Sequence, residues 1–84
     1  MDESLTLSFV MDRGDLDAFV KSAAFKPPLA RSYEPYAFNE LGWKLDRIKH
    51  LLGGKDDSGS VGREMVIDLD TPGVATVYMI ASET

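Results

Sequence analysis

The stretch Arg63-Glu64-Met65-Val66-Ile67-Asp68-Leu69-Asp70-Thr71-Pro72-Gly73-Val74-Ala75-Thr76-Val77-Tyr78-Met79-Ile80-Ala81-Ser82 decides the fold: two β-rich runs flank a Pro-Gly turn, the pattern of a hairpin. In the first run Met65, Ile67 and Leu69 point one way and Glu64, Asp68 and Asp70 the other, as in a strand with one wet face. The second run places Val74, Thr76, Tyr78 and Ile80 on one face and Ala75, Val77, Met79 and Ala81 on the other. Both of those faces are largely apolar, which suits a strand inside a sheet rather than at its edge. A lone hairpin is marginal in water, so it needs a further strand or a helix against it.

Working outward, Leu5, Leu7, Phe9 and Met11 alternate with Thr6, Ser8 and Val10, which supplies a third strand. Asp12 then opens a helix. Asp15 and Asp17 sit where the positive end of the helix dipole favours carboxylates, and Leu16, Phe19, Val20, Ala23 and Ala24 form one apolar stripe. Pro27-Pro28 stops it. From Lys26 to Phe38 neither a period of 2 nor one of 3.6 survives, so a long extended connection is expected. A second helix is expected from the N-cap Asn39 to about Leu52, on the seam Leu41, Leu45, Ile48 and Leu52, with Gly53-Gly54 as its stop. Residues 53–62, polar and glycine-rich, read as a surface loop.

At 84 residues the chain makes one domain, residues 1–84, burying about 60 to 65% of its unfolded surface, too little for a deep enclosed active site. Hydrophobic residues at 44% and charged residues at 27% argue against disorder. There is no cysteine, so disulfides, thiolate zinc sites and cysteine nucleophiles are ruled out. No apolar run approaches the roughly 18 residues of a membrane span, and Met1-Asp2-Glu3 is acidic where a secretory signal is basic, so a cytoplasmic protein without membrane contact is the expectation. The formal net charge of −5, from 14 acidic and 9 basic residues, repels phosphate backbones and argues against direct nucleic-acid binding.

Catalytic patterns are weak. His50 is the only histidine, at an expected helix C-terminus that suits its charge, and nothing pairs it with a nucleophile by spacing. Glu64, Asp68 and Asp70 share one strand face and could hold a hard cation or serve acid/base chemistry; a solvated strand face is the plainer reading. Gly53-Gly54-Lys55 lacks the upstream glycine and the strand-to-helix setting of a phosphate loop. Asp56-Asp57-Ser58-Gly59-Ser60 lacks the ligands of a calcium loop.

The aromatic set carries more information. Tyr33, Tyr36, Phe38 and Trp43 fall within eleven residues, and Arg31 lies beside them. These residue types dominate binding hot spots, so the five are the candidate partner-binding residues, against the alternative that the rings cap a small core.

The expected fold is therefore α+β: a mainly antiparallel three-stranded sheet in the order β-α-α-β-β, with both helices on one face. The other face would be left bare, with Val10, Val66, Ala75, Val77, Met79 and Ala81 available to a second copy or a partner. Functionally the expectation is a non-enzymatic interaction module, an adaptor or inhibitor of a larger protein, with a phage or mobile-element accessory protein and a homodimer among the forms it could take. No cofactor or metal is expected. The alternatives are a small enzyme or metal-binding domain using the strand carboxylates, and an acidic nucleic-acid mimic using Asp12, Asp15, Asp17, Asp56 and Asp57.

Overall fold

A computed structural model of the chain describes residues 4–25, 28–34, 38, 42–43, 45–57 and 61–83. The hairpin forms as β3 (Val61–Asp68) and β4 (Val74–Glu83), in a regular antiparallel register running from Val61↔Glu83 to Asp68↔Thr76. β1 (Ser4–Asp12) pairs antiparallel with β4, and β2 (Leu51–Asp56) pairs antiparallel with β3. The result is a four-stranded sheet in the order β1-β4-β3-β2. One 3-10 turn (Arg13–Asp15) leads from β1 into α1 (Leu16–Ala23), the one α-helix with assigned bounds among the described residues.

This overturns the three-stranded sheet with two helices. The chain expected to form the second helix gives a 3-10 turn at Leu45–Arg47 and then enters β2 at Leu51; Asn39, Glu40, Leu41 and Lys44 lie outside the described residues. Gly42 explains why a helix cannot run from Asn39 to Leu52. It sits at φ +85°, and the Trp43 N–H donates to the Phe38 carbonyl at 3.0 Å, the 6→1 closure used where helices end. The Leu45, Ile48, Leu52 spacing is then divided between two cores: Leu45 and Ile48 pack on one face of the sheet and Leu52 on the other.

No face of the hairpin is bare. On one side Met65, Ile67, Ala75 and Val77 pack under Leu16, Phe19 and Val20 of α1, with Phe25 and Leu29. On the other, Val66 and Ile80 pack under Phe38, Leu45 and Ile48, with Tyr33 and Trp43. The residues expected to share one uncovered surface are thus split: Ala75, Val77 and Met79 face α1, and Val66 lies opposite. Met65, Val66, Ile67 and Val77 are wholly buried, and each contributes about 1.5 to 3 kcal/mol of transfer free energy.

The chain reaches both faces by crossing the outer edge of β2. Ala30 exchanges two backbone hydrogen bonds with Gly53, at 2.8 and 3.0 Å. Leu29 before it covers Gly54 on the α1 side, and Tyr33 after it covers Gly53 on the opposite side. The Gly-Gly pair expected to end a helix is instead the flat place in an edge strand where a crossing segment can lie close on both faces.

Candidate functional site

The five residues put forward for partner binding occupy different places. Phe38 is wholly buried. Trp43 is half-buried between Phe38 and Tyr78, with ring centroids 5.6 and 5.4 Å away, the Tyr78 contact being edge-on. Tyr33 is half-buried over Gly53, Arg31 is exposed and lines a cavity at the end of the sheet, and Tyr36 lies outside the described residues. Phe38, Trp43 and Tyr33 thus spend much of their surface on the chain itself, as the core alternative holds.

Tyr33 donates a short hydrogen bond to Oε2 of Glu64, which is only 7% exposed; Oε1 of that carboxylate is buried and meets no donor among the described residues. Burial foremost, then the Glu64 hydrogen bond and charge, raise the Tyr33 phenol pKa above its ordinary 10.0. The folded state therefore keeps a proton that the unfolded state releases. Stability should hold below about pH 10 and fall as the pH rises beyond it. Urea midpoints between pH 8 and pH 11 check this. Tyr33→Phe should remove the alkaline fall and, by stranding a buried carboxylate, cost about 2 kcal/mol at pH 7.

The strand carboxylates are engaged separately. Asp68 faces Arg47 at 3.8 Å and accepts the Asp70 N–H at 2.8 Å. Asp70 accepts the backbone N–H groups of Lys49 and His50 at 3.0 and 2.7 Å, which hold its carboxyl below the ordinary range. Among the described residues no cluster of three metal-ligating side chains forms. Of the acidic residues suggested for nucleic-acid mimicry, Asp12, Asp15, Asp17 and Asp57 are exposed, but Asp56 is buried and ion-paired with Arg63.

Apolar surface remains exposed on β1. Leu5 and Val10 are 66% and 65% exposed, and Leu7 and Phe9 are partly so, although Phe9 meets Phe19 edge-on at 5.3 Å. Among the described residues β1 is also a free edge. Just beyond its regular register with β4, the Arg13 N–H donates to the Gly73 carbonyl at 3.0 Å. Antiparallel pairs alternate between exchanging both bonds and exchanging none, so Met11, Phe9, Leu7 and Leu5 turn their backbone groups toward β4. Val10, Ser8, Thr6 and Ser4 turn theirs outward.

Among the described residues no strand or bridge pairs with that outer side. Ser4-Leu5-Thr6-Leu7-Ser8-Phe9-Val10-Met11 has no charge, no proline and no bulge, the usual guards of an edge strand. The opposite edge differs: β2 is covered at Gly53 by Ala30 and carries Lys55 and Asp56. The alternation of β1 was visible in the sequence; that it would stand at an edge was not, because edge position depends on which strand pairs with which.

No helix among the described residues is long and apolar enough to cross a membrane. Comparisons with protein-family models, with curated proteins and with solved structures find no match to this chain.

Proposed function

We propose that this chain is a non-enzymatic interaction protein that works by strand addition, its β1 edge pairing antiparallel with β1 of a second copy. The observation that carries the reading is the unguarded, uncharged outer edge of β1 with its row of outward backbone groups. Two four-stranded sheets then become one continuous eight-stranded sheet about a two-fold axis. Centred on Leu7, the pairing sets Leu5 of each copy against Phe9 of the other and Leu7 against Leu7, covering side chains left open in the single chain.

Charge leaves this place open to a second copy. Two molecules of net charge −5 repel, and the stretch from Ser4 to Met11 is where they can meet without opposing carboxylates.

The test is mass in solution by sedimentation across protein concentration, for the natural chain and for Thr6→Pro. The Thr6 N–H points outward, so proline there removes a bond to the second copy and leaves the β4 ladder intact. Wild type at twice 9.3 kDa and a folded Thr6→Pro at 9.3 kDa are the expected results. A wild-type mass of 9.3 kDa up to about 200 μM, a concentration at which a micromolar dimer would be mostly formed, overturns the proposal. A double mass unchanged by Thr6→Pro overturns it equally, placing the contact elsewhere.

A further inference from the structure

In a protein of net charge −5, the charged and titratable groups that line the cavity at the hairpin-turn end of the sheet are, among the described residues, all basic. It measures about 440 Å3, within the span of small-molecule pockets. Arg13, Arg31, Lys49 and His50 supply its polar lining, and Leu52 and Leu69, which pack on one side of the sheet, its apolar floor; Leu51, which packs on the other side, also lines it. The fold assembles this set from four parts of the chain. Arg13 leaves the end of β1, Arg31 follows the crossing at Ala30, Lys49 and His50 precede β2, and Leu69 follows β3.

The four basic residues are not equivalent. Arg13 is committed to the protein: its Nε donates to the Val74 carbonyl at 3.0 Å, and one terminal nitrogen donates to Leu69 and Thr71 carbonyls at 3.0 and 3.1 Å. It pins the β3–β4 connection and lends the cavity its charge. The side chains of Arg31, Lys49 and His50 meet no hydrogen-bond or ion-pair partner among the described residues. Two carboxylates stand nearby: Asp70, held on the backbone N–H groups of Lys49 and His50, and Asp68, opposite Leu51 in the β2–β3 register and facing Arg47 at 3.8 Å. With Asp68 set against Arg47, the permanent cations Arg13, Arg31 and Lys49 stand against Asp70, a surplus of two positive charges.

We infer that this cavity binds an organic phosphate monoester, whose dianion is taken by Arg31, Lys49 and His50 and whose apolar body lies on Leu52 and Leu69. The surplus of two charges matches a phosphate dianion. A guanidinium beside an ammonium suits phosphate oxygens, the first by its fork of donors and the second as a point charge. Leu52 and Leu69 give an attached organic group apolar surface that a free inorganic ion does not use.

The experiment uses phenyl phosphate as probe, titrated by calorimetry and followed through backbone amide NMR shifts, with inorganic phosphate and benzyl alcohol as comparison ligands. Saturable one-to-one binding of phenyl phosphate, with shifts at Arg31, His50, Leu52 and Leu69, is expected. The double variant Arg31→Gln, Lys49→Gln should weaken it at least about tenfold, because it removes two charge-assisted contacts. Both side chains are exposed and without protein partners among the described residues, so the variant should fold, as circular dichroism checks. Lys55→Gln, outside the cavity, should leave affinity unchanged.

No saturable binding up to about 10 mM, or binding indifferent to the double variant, overturns the inference. Inorganic phosphate binding as tightly as phenyl phosphate overturns the assignment of an organic ligand, and benzyl alcohol binding as tightly overturns the anion site. Because Thr6→Pro leaves the cavity residues in place, its affinity for phenyl phosphate reports on this site independently of self-association.

Discussion

Arg63→Ala is expected to lower the free energy of unfolding by about 3 kcal/mol, through the loss of its charge-assisted hydrogen bonds to a buried carboxylate and to the carbonyls at the helix end. Arg63 stands on β3, directly opposite Asp56 of β2, and the Asp56 carboxylate is 3% exposed with the guanidinium 3.3 Å away. The same guanidinium donates to the Ala23 and Ala24 carbonyls at 2.6 and 3.3 Å and lies 4.5 Å over the Phe25 ring. Ala24 ends α1 in the left-handed region at φ 55°, where a residue without glycine's freedom needs outside support. One side chain thus satisfies the last turn of the helix, faces a buried carboxylate and covers an aromatic ring.

Because small domains hold only about 5 to 15 kcal/mol in total, the variant should be near its folding limit, and urea denaturation would measure it. Arg63→Lys keeps the charge but not the planar fork, and should recover less than half of the loss. A loss below about 1 kcal/mol for Arg63→Ala would mean that Asp56 and the helix end are adequately served without it.

The second large effect is expected at the glycine pair, and it should be unequal. A Cβ on Gly53 would lie 2.5 Å from Tyr33 Cδ2 and 2.9 Å from Cγ, against a ring that is held by its bond to Glu64. A Cβ on Gly54 would meet Leu29 Cδ2 at 2.9 Å, the far end of a side chain that can turn away. Gly53→Ala should therefore cost about 3 kcal/mol and Gly54→Ala less than about 1.5 kcal/mol. Neither glycine has a positive φ, so the difference isolates space from backbone preference. Thermal unfolding of the two variants side by side checks it, and equal losses would show that the crossing segment does not lie on β2 as described.

The sequence by itself determined the parts whose pattern is local. The period-2 alternation about Thr71-Pro72-Gly73 became β3 and β4, the alternation from Leu5 to Met11 became β1, and the apolar stripe after Asp15 became α1. Two apolar faces on Val74–Ala81 placed that strand inside the sheet, where it lies between β1 and β3. Tertiary structure decided the rest. Leu45, Ile48 and Leu52 have helical spacing, but Gly42 turns the chain before them, and Gly53-Gly54 gains more from being sandwiched at a sheet edge than a helix stop would give.

Tyr33, Phe38 and Trp43 were legible as a cluster, with core and binding surface both open, because what they cover, Val66, Tyr78 and Ile80, lies more than twenty residues away in the chain. The basic cavity was hidden for the same reason: Arg13, Arg31 and Lys49 are dispersed along the sequence and meet only through the crossing at Ala30 and the pairing of β1 with β4. Periodicity reports which way a side chain points relative to its neighbours in sequence. Which other segment then covers it, or leaves an edge open, is settled by long-range packing that no local pattern encodes.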